Sequence, residues 1–330
     1  MARKLIFVPI EILEERYSLQ WYNWFTDAFA ENFIEYKTVG DTSPREIKVG
    51  QFLDVFDTNY YKAGQLLDIV NEIASNPSHK YTVFFMDIWF PGIQMLAYMR
   101  DCAGVDIKIC GMLHAGSWDP HDFITQQGCG PWAKPFEQSL FKMVDKIFLA
   151  SKFHRDIIEN HLGPCTWHKT QIVDWPCIDP IDPSYRNLKD DIVVFPHRLA
   201  PEKAPGEFDK IEEHFRASYP ELDHVRFIKS KDVCKNKDSY YELLKRAKVA
   251  VSTARQETFG IAMVEAYNSW AWPIVPNRLS YKEIFEHDCR YIDLKEAADK
   301  IAFALKNYHS LEFKHKYGTK INWVQEIVNE

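Results

Sequence analysis

Short β-branched or aromatic runs alternate with longer amphipathic stretches along almost the whole chain, and this constrains the fold more than any other feature. Strands spaced by helix-length segments form mostly parallel sheets, because each strand must cross over through a helix to re-enter its sheet in the same direction. In the first half the strand-like runs are 4–9, 33–37, 81–86, 106–112 and 145–149. Between them lie helix-like stretches. In 60–75, Leu66, Leu67, Val70 and Ile73 recur on one predicted face. Ser151 is placed to cap a helix over 152–161. The alternation then breaks at Pro176, Pro180 and Pro183, and prolines this dense predict an irregular connector over 176–187. Strands at 192–195, 224–228, 249–252 and 272–275 follow, with helices at 206–218, 238–247, 260–269 and near 294–307. In 311–330 the spacing of Phe313, Tyr317, Trp323, Val324, Ile327 and Val328 predicts a helix that packs back towards the first domain. The expectation is an α/β protein of two Rossmann-like α/β/α domains, 1–175 and 188–310. Its site would lie in the cleft they face, at the carboxyl ends of both sheets.

Composition removes several alternatives. Among 330 residues there are only 13 glycines, and neither G-x-G-x-x-G nor G-x-x-x-x-G-K-[ST] occurs. The one G-x-G, Gly128-Cys129-Gly130, lacks the third glycine, so dinucleotide and P-loop cradles are not supported. The net charge is −7, with −6 in residues 1–175 and −1 in the remainder, which is not the balance of a general polyanion binder. Seven cysteines (102, 110, 129, 165, 177, 234, 289) are scattered without a C-x-x-C pair or zinc spacing, as expected of free thiols in a reducing, cytoplasmic compartment. The apolar run 5–10 is too short for a signal peptide and meets Glu11. No run approaches 18 apolar residues, so no transmembrane segment is expected.

The chemistry concentrates in 251–275. A strand ends near Ser252, a loop carries Glu257, and Gly260 opens a helix bearing Glu265 one and a half turns on. Helix N-termini favour anions through unpaired N–H groups and the dipole. Glu257 and Glu265 could then address two parts of one ligand while amides between them take a phosphate. A second piece, Phe195-Pro196-His197-Arg198-Leu199-Ala200-Pro201-Glu202-Lys203, follows the first strand of the second unit. Arg198 and Lys203 could neutralise a diphosphate there, and a solvated charge run paired with Glu202 reads the same residues equally well.

Together these segments resemble the donor half of retaining glycosyltransferases of the GT-B fold, the family 4-like, group 1 type. The resemblance is carried by Arg198-Leu-x-Pro-Glu-Lys203 and Glu257-Thr-Phe-Gly-Ile-Ala-Met-Val-Glu265-Ala, with echoes at 150–156 and 240–244. It is good over about 145–285 and only topological before that. It implies that Arg198 and Lys203 bind the diphosphate of a nucleotide-sugar donor, UDP- or GDP-linked. Glu257 with Thr258 would meet the transferred sugar, the amides of Phe259, Gly260 and Ile261 would lie against sugar and phosphate, and Glu265 would bind the ribose. His114, at the end of strand 106–112, takes the place of a histidine near the reacting sugar. Its structural alternative is an ordinary hydrogen-bonded histidine. No D-x-D occurs, so neither metal nor cofactor is expected.

The family's Gly-Gly loop after the first strand is missing; Val8-Pro9-Ile10-Glu11-Ile12 stands there instead. Glu11, Arg16, Tyr17, Gln20 and Trp21 are acceptor candidates, although Trp21, Trp24 and Phe25 also have the spacing of a buried helix face. Asp87 and Trp89 follow one strand, and Trp118 and Asp119 follow His114; such residues suit a sugar or a base, or simply build turns. A soluble saccharide or other polar hydroxyl acceptor is the default, with a modified nucleobase of DNA or RNA open. A sugar-nucleotide epimerase of the same fold and a non-catalytic binding module are the competing classes.

Overall fold

A computed structural model describes residues 3–43, 54–162 and 168–329. Packing divides the chain into two units. The first comprises Met1–Ala150, His154–Asp174 and Lys320–Glu330; the second comprises Ser151–Phe153 and Trp175–Thr319.

The first unit is built on six parallel strands: β1 (Lys4–Val8), β2 (Tyr36–Thr38), β3 (Tyr81–Phe85), β4 (Ile107–Met112), β5 (Lys146–Leu149) and β6 (Thr170–Ile172). They lie in the order β2-β1-β3-β4-β5-β6. β3 is buried along its whole length, as expected of a parallel strand covered on both faces, which explains its unbroken Tyr-Thr-Val-Phe-Phe run. Phe7, Phe25, Phe29 and Phe84 pack together on one face. Val83, Phe85, Ile107, Ile109 and Ile147 belong to a second buried cluster. Trp21 and Phe25 of helix Tyr17–Glu31 are fully buried, so the core reading of that spacing holds for both.

Helix Val55–Ser75 starts earlier than its periodicity suggests, because Asp54 caps it by accepting from the amides of Phe56 and Asp57. Its buried face also differs from the expectation. Tyr61, Gln65, Ile69 and Ile73 point inward, whereas Leu67 is 61% exposed. Gln65 sets this register: its buried amide donates to the Pro9 carbonyl (2.8 Å), a bond invisible to a hydrophobicity pattern.

The second unit has five parallel strands, β7 (Asp190–Phe195), β8 (Arg226–Lys229), β9 (Ala247–Val251), β10 (Trp272–Pro276) and β11 (Arg290–Tyr291), ordered β11-β10-β9-β7-β8. Each sheet reverses its winding once, between β1 and β3 and between β7 and β9. Loops diverge at such a point and leave a crevice at the carboxyl ends of the strands, where ligands of open α/β sheets bind.

Two expectations require correction. Residues 176–187 are not a free connector: the Cys177 amide donates to Gly318, Ile181 donates to Asn268, and Asp182 caps a 3-10 turn over Pro183–Leu188. Pro183 opens that turn, a position where its missing N–H costs nothing. The end of the chain is not a long helix either. Helix is confined to Gln325–Val328, and Leu311–Tyr317 is extended, with Phe313, His315 and Tyr317 turned inward while Glu312, Lys314 and Lys316 face outward. That period-2 alternation belongs to extended backbone. Ser151 stands directly before helix Lys152–Leu162, the expected capping position; its hydroxyl also donates to the Thr258 carbonyl (2.7 Å), and the Glu283 carboxylate accepts from the amides of Lys152 and Phe153 (2.7 Å each). Cys165 lies outside the described residues.

The last residues complete the first unit. The ring of Trp323 sits 4.7 Å from Phe148 and 5.7 Å from Phe25, and its indole N–H donates to the Asp174 carbonyl (2.8 Å). Trp323→Ala is expected to destabilise the first unit by about 3–5 kcal/mol, read as a fall in its urea midpoint. Lys146→Ala, which removes the partly exposed ion pair to Glu326 and a cation–π contact with Phe148, should cost no more than about 2 kcal/mol.

Candidate active site

At the winding reversal of the second sheet, two loops are bonded into one body. From β7 the chain passes through His197 and Arg198 into a 3-10 turn, Pro201–Lys203, which ends at Ala204 with φ 48°. From β9 it passes through Ser252 and Thr253 to Glu257 and Gly260. The Thr253 hydroxyl contacts the carbonyls of Lys203 (2.8 Å) and Ala204 (2.9 Å), and the Arg255 amide donates to the Glu202 carbonyl (2.8 Å). Lys203 spans the join. Its ammonium is buried and donates to Glu257 Oε1 (2.7 Å) and to the Gln256 carbonyl (2.8 Å). A buried charge is tolerated only with such partners.

Arg198 is the more exposed cation. Its guanidinium pairs with Glu202 at 2.5 Å, with a third of its side-chain surface open to water. Gly260 has φ +91°, and a Cβ there would lie 2.7 Å from the Tyr281 ring. Both the backbone conformation and the ring therefore demand glycine at the start of helix Ile261–Asn268. Phe259 is buried, with Trp175 at 5.9 Å and Tyr317 at 5.0 Å; its side chain is core and only its backbone could serve a ligand. Thr258 is buried too. Glu265 is buried on the helix, and both carboxylate oxygens accept tyrosine hydroxyls, Tyr241 at 2.7 Å and Tyr240 at 3.0 Å. Burial pushes its carboxyl up, while nearby Lys237 and the two tyrosines oppose that.

The sequence reading missed two parts of this cluster. Tyr240 and Tyr241 had appeared only as a family echo. His197 is buried between the loops, its Nε2 2.8 Å from the Ser252 hydroxyl and its Nδ1 3.9 Å from Glu257 Oε1. Its position beside Arg198 was the one available signal.

Residues 206–321 match the family described as "Glycosyl transferases group 1". The match covers about a third of the chain and lies almost wholly within the second unit. Glu257, Gly260 and Glu265 fall inside the matched span; Arg198 and Lys203 precede it. A Drosophila melanogaster protein named tRNA-queuosine alpha-mannosyltransferase is 30% identical over 90 residues, which are 27% of this chain and 21% of the fly protein. The chain thus spans about a fifth of that relative's length. Among solved structures, sucrose-phosphate synthase from Thermosynechococcus elongatus superposes with a TM-score of 0.67 at 12% identity, over 99% of this chain and 95% of that one. S. aureus TarM, in complex with Fondaparinux, alpha-GlcNAc-glycerol and UDP, gives 0.53 at 14% identity, over 80% of this chain and 58% of that one. With its two parallel sheets, the chain has the GT-B fold.

Outside the group 1 domain, the candidates of the first unit gather at the carboxyl ends of β1, β3 and β4. His114 Nε2 lies 2.7 Å from the Met86 carbonyl, so that nitrogen carries the proton, and Nδ1 faces the Tyr17 hydroxyl at 3.3 Å. Burial pushes the His114 pKa down, with Asp87 opposing. Glu11 accepts from Thr58 (3.2 Å), and Asp87 accepts from the amide of Trp89 (3.1 Å). Two residues that sequence did not single out hold Trp89 in place. Glu137 accepts from its indole N–H (2.9 Å), and Lys62 donates to its carbonyl (3.0 Å). Arg16 precedes helix Tyr17–Glu31 without a side-chain cap. Trp118 stacks on His161 at 4.7 Å, a contact between residues far apart in sequence, and Asp119 accepts from the His121 amide (2.8 Å), a turn-building bond.

Among the described residues no group of three His, Cys, Asp or Glu side chains is arranged to hold a metal ion, and no helix is long and apolar enough to cross a membrane.

Burial pushes the nearby Asp122 carboxyl up to about 6. On raising the pH the unfolded chain loses this proton first, so the residue's contribution to stability falls between about pH 4 and pH 6 and is level above. Asp122→Asn should remove that loss, about 3 kcal/mol at pH 7 relative to pH 3. The difference between variant and wild-type urea midpoints across pH 3–7 reads it.

Proposed function

We propose that the chain is a retaining glycosyltransferase that moves a sugar from a nucleotide-sugar donor to a hydroxyl acceptor without a metal ion. The observation that carries this reading is the buried Lys203–Glu257 pair, set at the winding reversal beside the Gly260 helix start of a group 1 domain. Breaking a glycosyl–phosphate bond builds positive charge on the sugar and negative charge on the leaving diphosphate. Lys203, Arg198 and the helix amides at 260–261 are cations and dipoles already in place for that negative charge. Glu257 is the acceptor of the sugar's hydroxyls, and Glu265, held by two tyrosines, is the acceptor of the ribose's. In a retaining reaction of this kind the incoming hydroxyl approaches on the face the leaving group departs from. The departing phosphate then takes its proton, so no dedicated carboxylate base is needed.

Two comparisons support parts of this reading. TarM is bound to UDP, in keeping with a uridine-linked donor here. The fly relative is named for a tRNA nucleoside, which gives weight to a modified nucleobase beside a soluble saccharide as acceptor. The first unit's Glu11, Asp87 and Trp89 are the groups we assign to the acceptor, and His114 is assigned to the reacting sugar.

The test is donor turnover by wild type and by Lys203→Ala and Glu257→Ala. Each substitution should cost on the order of 100-fold or more in kcat; full turnover by both would sink the site. A panel of UDP-, GDP- and ADP-sugars at 100 times their Kd should stabilise the protein by about 2.7 kcal/mol for the matching base, read by thermal shift. EDTA should leave turnover unchanged, and loss restored by divalent ions would contradict the metal-free reading.

A further inference from the structure

The hydrogen bonds around Ser252 favour one arrangement of protons. Its hydroxyl has one proton to give and two lone pairs. The Ala254 amide donates to it at 3.3 Å. Two more groups lie at 2.8 Å: the Tyr281 hydroxyl and His197 Nε2. One of them must donate to Ser252, and the other must accept from it. If His197 donated through Nε2–H, Ser252 would have to give its own proton to Tyr281. The Tyr281 hydroxyl proton would then have no recorded acceptor among the described residues, in a side chain with no exposed surface. A buried donor left unmade is the costly case. If Tyr281 donates to Ser252 and Ser252 donates to Nε2, both hydroxyl protons and the Nε2 lone pair are used. His197 then carries its proton on Nδ1, which faces Glu257 Oε1 at 3.9 Å, beyond hydrogen-bond reach but with the N–H dipole rather than a lone pair turned to the carboxylate.

We propose that Tyr281 and Ser252 form a relay that fixes His197 in the Nδ1–H tautomer, and that His197 is a positioning residue for Glu257. The role given to Glu257 rests on the glycosyltransferase reading above. The ring plane is set by Phe195, which meets the imidazole edge-on at 5.1 Å. Burial and the neighbouring cations Lys203 and Arg198 keep the ring neutral, so it acts as a dipole rather than a charge. Lys203 Nζ and His197 Nδ1 both address Oε1 of Glu257. Oε2 has no recorded protein partner among the described residues and is the oxygen left for a sugar hydroxyl. The same Tyr281 ring blocks any side chain at position 260. One residue therefore sets both the carboxylate's orientation and the helix start that faces the phosphate.

The tautomer can be read without substrate. In full-length protein labelled with 15N-histidine, long-range 1H–15N correlation should show the His197 signals, assigned by their loss in His197→Asn, with Nδ1 protonated and Nε2 bare. A protonated Nε2 would overturn the proposal. Tyr281→Phe keeps the ring against Gly260 but removes the donor. It should move His197 away from the Nδ1–H form and lower kcat about tenfold, with Kd for the matching nucleoside diphosphate within about twofold. Unchanged tautomer and turnover in that variant would also overturn it. His197→Asn, whose amide can donate from nearly the Nδ1 position, should retain most of the turnover that His197→Ala loses. Full turnover by Glu257→Gln would instead remove the assigned role of Glu257, while the NMR signals would still report the relay.

Discussion

An ammonium ion buried with a carboxylate organises the second unit. Lys203 cannot be taken out of water alone, so its partners must be brought to it. Glu257 and the Gln256 carbonyl are supplied by the loop after β9, although Lys203 itself arrives on the loop after β7. The Thr253 hydroxyl and the Arg255 amide close the same seam with neutral bonds. Two loops that would otherwise diverge at the winding reversal become one rigid floor. This arrangement favours preorganisation, since charges held in place before a ligand arrives need little rearrangement during the reaction.

Much of the fold could be read from the chain because parallel strands covered on both faces leave long apolar runs. β1, β3, β4, β7, β9 and β10 all announce themselves in this way. The misreadings came from structure specified by hydrogen bonds or by a different period. Gln65 turned helix Val55–Ser75 away from its predicted face. The segment around Phe313–Tyr317 was read at helical period although its alternation is two. Short strands such as β6 and β11 carry three and two residues, too few for a pattern.

The site was legible to a different degree on each side. Glu257, Gly260 and Lys203 are close neighbours along two short motifs, so their meeting follows once the strand order β9-β7 is known. His197, Tyr281, Lys62 and Glu137 are different. Each acts through a partner far away in sequence: Ser252 and Tyr281 are 29 residues apart, and Trp89 and Glu137 are 48. No local spacing encodes such a contact. The resemblance to a known family located Lys203, Glu257 and Glu265, and the structure located the distant groups that hold the candidate side chains in place.

The division of the chain into units also bears on how it is made. The first unit contains the start of the chain and its last eleven residues, among them Trp323, while the second occupies nearly everything between. During synthesis, at about 5–20 residues per second, the β1–β6 sheet emerges first, but the aromatic pocket around Phe25, Phe84 and Phe148 stays open until Trp323 has been made. For the same reason, cutting the chain at the apparent boundary near residue 175 would yield a fragment lacking part of its own core.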